Sequence, residues 1–254
     1  MRSAMRSITF YGALLAIWQG VVLLKLWPSY MFPGPVDVFG SLRAGFADHS
    51  FWIGIAVSMK RIAIGYGISC AFGIALGFLT AFNRFFAETF GRLLGGLQSI
   101  PSICWLPVAI LWFGLSETAI IFVVVMGSLL AITISVDSGL RNIPHIYLRA
   151  GRNLGASGWQ LIFHVLLPAS LPHVISGLKQ GWAFAWRSLI SGEMIFVTLG
   201  LGQLLMMGRD LNDISQVFAV MVLIVLLGWA IDALVFRTVE RALEVRWGLR
   251  RVEA

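Results

Sequence analysis

Nineteen consecutive residues without a charge, TAIIFVVVMGSLLAITISV at 118–136, limit what this chain can fold into. A helix rises about 1.5 Å per residue, so a run of about 20 apolar residues matches the thickness of a bilayer. Backbone facing lipid must satisfy its own N–H and C=O groups, which makes such a run helix rather than loop. Further apolar runs lie at 8–27, 57–82, 93–114, 172–197 and 216–236. Only 12% of the residues are charged, against about a quarter in a soluble domain. A membrane β-barrel would read as short alternating segments instead. The expected fold class is an all-α polytopic membrane protein with about six transmembrane helices.

Pro101 and Pro107 fall inside the third run and imply a kink or a late start there, because proline removes a donor and clashes with the preceding turn. The first run is too long for the apolar core of a cleavable signal and has no small-residue cleavage site, so it reads as a retained span.

Lys and Arg orient the spans. With the N-terminus inside, twelve of the 19 basic residues fall on the inner side: Arg2, Arg6, Arg84, Arg92, Arg141, Arg149, Arg152, Arg237, Arg241, Arg246, Arg250 and Arg251. Only Arg43 and Arg209 fall clearly outside, and Lys25, Lys60, Arg61, Lys179 and Arg187 lie in spans or at their ends. Both termini are expected to be cytoplasmic. The net charge of +7 then reflects inner loops, with no nucleic-acid partner expected.

Between spans one and two, Val36, Phe39, Leu42 and Phe46 follow a Pro-Gly-Pro stop at the spacing of an amphipathic interfacial helix. In span two, Gly65, Ser69, Gly73, Gly77 and Ala81 are four apart and form one ridge. Small residues so placed let a second helix approach closely in lipid. Cys70 and Cys104 lie in apolar runs and read as small hydrophobes. His49, His145, His164 and His173 have no Cys or Asp at ligand spacing, so neither metal nor cofactor is expected.

The stretch Tyr147–Pro168, YLRAGRNLGASGWQLIFHVLLP, is polar for its surroundings. By charge it lies in an inner loop. Pro144 can open a helix and Gly155 close it. Ser157 and Gln160 have capping-box spacing, and Trp159, Ile162, Phe163 and Leu166 then share a face. Leu167-Pro168 is expected to end or kink that second helix. The loop therefore reads as helix, glycine turn, helix, suited to docking in a groove of a cytoplasmic partner.

This stretch resembles the EAA loop of ABC-importer permeases: Glu-Ala-Ala, three residues, Gly, nine residues, Ile, one residue, Leu-Pro. Arg149-Ala150-Gly151 take the first three places, Gly155 the glycine, Val165 the Ile place, and Leu167-Pro168 the close. Arg149 stands where Glu is usual and Gly151 where Ala is usual. FPGP at 32–35, SMKRIAIGYGISCAFGIALGFLTAFNR, QSIPSICWLPVAILWFGLSE, LRNIPHIYLRAGRNLGAS and GLKQGWAFAWRSLISGEM are similar to permease subunits of nitrate, sulfonate and taurine importers. The resemblance implies a type I ABC importer transmembrane fold in the bacterial inner membrane. It implies a homodimeric permease with two copies of a cytoplasmic ATP-binding subunit and a periplasmic solute-binding protein. It divides the chain into a first helix with outer segment (1–56), a transmembrane domain (57–241) whose coupling loop is about 144–168, and a basic tail (242–254). Gly155, Ala156 and Trp159 are then expected at or near the ATPase contact.

The sequence has no G-x-x-x-x-G-K-[ST] run, so ATP is not bound here in the P-loop manner. No set of nucleophile, base or metal ligands suggests a membrane enzyme. A gradient-driven secondary transporter or channel is the competing reading, against which stands the lack of a clear inverted repeat or paired broken helices. Charges inside spans mark function by default. Arg187 and Glu193, with Trp186 beside them, are thus candidates for the translocation pathway. Six residues separate the two charges, a poor spacing for a pair on one helix, so each is expected to meet other helices. An inward Arg187 suits an oxyanion such as a sulfonate. Asp137 and Asp232, near inner span ends, are expected to be solvated.

Overall fold

A computed structural model describes residues 2–28, 31–196 and 199–246. Val197, the expected end of span five, and the tail from 247 on, with Arg250 and Arg251, lie outside the described residues. Helices account for the ordered structure: α1 (Arg2–Leu23), α2 (Pro35–Ala47) and α3 (Ser50–Phe82), then α4 (Arg84–Gln98) and α5 (Ser102–Phe113). They continue as α6 (Glu117–Arg141), α7 (His145–Asn153), α8 (Gly158–Ile195), α9 (Leu201–Asp210) and α10 (Ile214–Val245). No strand occurs among the described residues.

About six transmembrane helices were expected, the third with a kink or a late start. Four helices, α3, α6, α8 and α10, are long and apolar enough to cross a membrane. The third span is the bent pair α4 and α5, which meet at 101°. Pro101 causes the break: it has no N–H for the ladder, and it drives the residue before it away from helix. Pro107 is tolerated because it lies in the first turn of the α-helical part of α5, Leu106–Phe113, which follows a tighter turn at Ser102–Trp105. The first span is shorter than expected, with an apolar stretch of Thr9–Leu23. Lys25 takes a left-handed conformation (φ 51°) that ends it before Trp27.

Met59–Gly192 and Gly228–Ala254 form one compact unit, with α6 through its middle. The small-residue ridge of α3 faces α6. A methyl built on Gly65 would lie 2.7 Å from Val124 Cγ1, on Gly73 2.9 Å from Ile132 Cγ2, and on Gly77 2.6 Å from Val136 Cβ. At the fourth position, Ser128 Oγ donates to Ser69 Oγ at 2.7 Å across the same 59-residue offset, so the two helices run parallel in one register. On its other side α6 meets α8, where Gly181 abuts Ile132 and Gly177 abuts Ser135. Ile132 is thus wedged between two glycines, with no exposed surface.

Met1–Ser58 and Glu193–Leu227 form the other unit. Trp18 donates from Nε1 to the Pro33 carbonyl at 3.1 Å and packs on Phe218, which also meets Phe32 edge-on. Asp37 accepts from the Gly34 N–H at 3.0 Å and so fixes the start of α2. On α2, Val36 and Phe39 are exposed and Val38 is buried. Asp48 accepts from the Ser50 N–H at 2.9 Å, which holds its carboxyl below the usual carboxylate range. Asn212 (φ 56°) turns α9 into α10: its N–H reaches Arg209 O, and that of Asp213 reaches Gly208 O.

Candidate functional site

The loop after α6 is ordered by its own backbone. Pro144 caps α7, and Gly155 (φ 86°) ends it. The Gly155 N–H bonds Arg152 O at 3.0 Å and the Ala156 N–H bonds Gly151 O at 3.0 Å, the two bonds of a Schellman turn. Gly151 is buried: a methyl there would lie 2.8 Å from Val165 Cγ2 and 2.9 Å from Leu161 Cδ1. The glycine that stands where Ala is usual therefore lets α7 lie close against the first turns of α8. Arg149, Ala150, Arg152 and Gly155 are exposed, and Ala156 is partly covered. Leu154 is 88% and Trp159 74% exposed, and Trp159 stacks on exposed Phe163 at 5.9 Å between centroids.

Two local expectations are corrected. The Ser157–Gln160 capping box does not form. Ser157 holds the N-cap position in extended backbone, but its side chain caps nothing, and the Gln160 N–H bonds the Ser157 carbonyl instead. Gly158, the next residue, takes a left-handed backbone conformation (φ 51°). Second, Trp159–Leu166 is not a separate helix ended by Pro168. It is the beginning of α8, which runs on through Pro168 and Pro172. A wide turn at Ile162–Leu166, in which the Leu167 N–H reaches Ile162 O, precedes Pro168 and relieves the clash a proline ring makes with a regular turn.

The three pathway candidates part ways. Trp186 is buried, stacked on Trp182 and close to Gly228. Glu193 is fully buried in the unit that holds α9. Ser58 Oγ lies 2.7 and 2.9 Å from its two carboxylate oxygens, and the Gly202 N–H donates to Oε2 at 3.1 Å. The Leu201 N–H donates to Ser58 Oγ at 2.9 Å. Together Ser58 and Glu193 satisfy the first donors of α9, as a cap borrowed from two other helices. Arg187 lines a cavity of about 260 Å³ with Gln98, Ser99, Ser102, Gly127 and Phe184. Its Nε donates to the Ala183 carbonyl at 3.0 Å, and its guanidinium carbon lies 4.8 Å from the Phe184 ring centre.

Other charges are paired within the larger unit. Glu117 meets Lys60 at 3.6 Å and Arg61 at 3.2 Å. Asp232 meets Lys179 and Arg237, both at 3.1 Å, and Lys179 also reaches Glu240. Asp137 meets Arg141, which also donates to the Thr80 carbonyl. Asp137 and Asp232 are therefore ion-paired rather than simply solvated. The Asp137–Arg141 spacing of four made that pair readable, whereas Lys179–Asp232 joins residues that only the fold brings together.

Residues 73–244 match the family of binding-protein-dependent transport system inner membrane components. The chain is 27% identical over 247 residues to the taurine transport system permease protein TauC of Escherichia coli (strain K12), covering 95% of this chain and 90% of that one. It is 26% identical over 230 residues to the nitrate import permease protein NrtB of Synechocystis sp., covering 87% and 82%. Its fold is similar to that in an inward-facing structure of the MetNI methionine ABC transporter, with a TM-score of 0.60 at 23% identity over 76% of this chain and 93% of that one.

Proposed function

The chain belongs to the binding-protein-dependent transport system inner membrane components, and on that premise we propose that it forms the translocation pathway of an ATP-driven importer for a small anionic solute. It is a multi-pass, non-catalytic permease component, and proteins of its family work with ATP-binding and solute-binding partners. The solute classes that fit the reading are aliphatic sulfonates, taurine and nitrate. The proposed assembly is a homodimer of this chain in the inner membrane, carrying two cytoplasmic ATP-binding subunits and met from outside by the solute-binding protein. In that orientation both termini and the loop at about 144–168 face the cytoplasm, in line with the twelve basic residues on that side.

The observation that carries this reading is the Schellman turn at Gly155, with exposed Leu154, Trp159 and Phe163 around it. An apolar cluster on a backbone-locked turn suits insertion into a groove on a partner. Arg149, Ala150, Gly155, Ala156 and Trp159 form the proposed ATPase-facing stretch, buried Gly151 seats it on α8 from behind, and Pro168 marks where it passes into the span. Arg187 lines the proposed pathway with Trp186 buried next to it in the chain, and Glu193 contributes in the other unit by capping α9. The test is affinity co-purification with the ATP-binding subunit. Wild-type chain is expected to retain it and Trp159→Glu to release it, since the change puts a charge into the contact; equal retention would remove the loop from the interface.

A further inference from the structure

We propose that the cavity at the break between α4 and α5 is an anion subsite within the permease itself, with Arg187 as the residue that selects a singly charged oxyanion head group. The inference rests on the permease reading and adds a selecting station to the pathway, separate from any selection by the solute-binding protein.

Three observations converge. First, the apolar pair α4 and α5 is broken at Pro101, with a bend of 101°. Backbone outside a helix is tolerated in a span only where protein buries it or a polar cavity receives it, and broken spans recur at transport sites. Second, the break opens onto the cavity of about 260 Å³, and its polar lining is one-sided in charge: Arg187, with neutral Gln98, Ser99 and Ser102. Among the described residues no carboxylate lines it. Third, Arg187 is held without being neutralised. The Ala183 carbonyl takes Nε, and the Phe184 face lies under the guanidinium. Among the described residues it forms no ion pair, so its two Nη groups remain for a ligand. Charges within a span are costly and are normally paired; this one is paired when an anion is present. The fork of a guanidinium matches two coplanar oxygens, as in a sulfonate or nitrate. The serine and glutamine side chains supply further neutral donors. The volume is below the usual range for drug-sized ligands, about 300–1,000 Å³, so it fits a head group rather than a long chain. With no carboxylate in the lining, the ammonium of a zwitterion finds no counter-charge there, and a simple alkanesulfonate is favoured over taurine.

The test uses the whole transporter, the permease with its ATP-binding subunits, in lipid nanodiscs. Binding of labelled methanesulfonate and of nitrate is measured without the solute-binding protein, and ATP-driven uptake is measured in proteoliposomes with it. Wild type is expected to bind at least one of the two anions saturably. Arg187→Gln is expected to weaken that binding at least tenfold, Arg187→Lys less, and Ser102→Ala about threefold, with taurine bound more weakly than methanesulfonate. Unchanged binding in Arg187→Gln would overturn the subsite and leave the importer reading intact. The same holds if wild type binds neither anion, or if Arg187→Gln changes the oligomeric state, which would make Arg187 an interface residue. Absence of ATP-driven uptake by wild type would instead overturn the importer reading. Should Arg187→Gln fail to assemble, Ser102→Ala and Arg187→Lys carry the comparison, and unaltered anion affinity in both would refute the subsite.

Discussion

A carboxylate with no exposed surface persists only when its oxygens are bonded, and Glu193 is such a group. Its charge within an apolar run could be read from the sequence, as could its poor spacing for a pair with Arg187. Its relation to Ser58, 135 residues away, could not. The cap that the two residues form on α9 is long-range and leaves no local pattern. Glu193→Ala should cost about 1–3 kcal/mol for each donor left without an acceptor. The loss should be visible as a lower unfolding temperature in detergent. Glu193→Gln keeps one carbonyl oxygen and should cost less. Identical melting of all three proteins would show that the bonds to Ser58 and Gly202 do not hold α9. At Ser157 the expectation is opposite. Its side chain caps nothing, so Ser157→Ala should change stability by less than about 0.5 kcal/mol. Gly155→Val, which forces a branched side chain to φ 86°, should cost about 1–3 kcal/mol. A thermal shift for Ser157→Ala as large as that for Gly155→Val would contradict this assignment.

Among the elements, periodicity was legible and breaks were less so. The four-residue spacing from Gly65 to Gly77 marks a ridge in the sequence alone, and in the structure that ridge lies on α6. The partner side of the contact was hidden, because Val124, Ser128, Ile132 and Val136 look like any lipid-facing run. Ile132 meets Gly73 of α3 and Gly181 of α8, so both glycines should resist enlargement. Gly181→Val or Gly73→Val should destabilise by about 1–3 kcal/mol through overpacking, read by thermal unfolding. Gly67 has nothing within 4 Å of a built methyl, so Gly67→Ala is the control. Equal effects at all three positions would mean that close approach is not what these glycines provide. The prolines were legible in part. Pro101 breaks a span outright, while Pro168 and Pro172 are carried inside α8. Local sequence does not separate the cases, because the wide turn that accommodates Pro168 depends on backbone bonds chosen by the packed helix.

For the whole molecule, membrane class and family were legible because both rest on features repeated along the chain: apolar runs, a basic bias between them, and ordered motifs. The span count was less so, since hydropathy does not tell a straight helix from a pair bent at 101°. Solute identity has no such repeated feature, and the proposed anion preference rests on the single residue Arg187. The central claim is that the loop around Gly155 transmits the work of an ATP-binding partner to these spans. Its most direct test is ATP-driven solute uptake by proteoliposomes holding the permease, its ATP-binding subunits and the solute-binding protein, comparing wild type with Gly155→Pro. The account predicts uptake that requires ATP in wild type and falls at least tenfold in Gly155→Pro, with the permease still in the membrane. Uptake by the permease alone on an ion gradient, or undiminished ATP-driven uptake by Gly155→Pro, would contradict it.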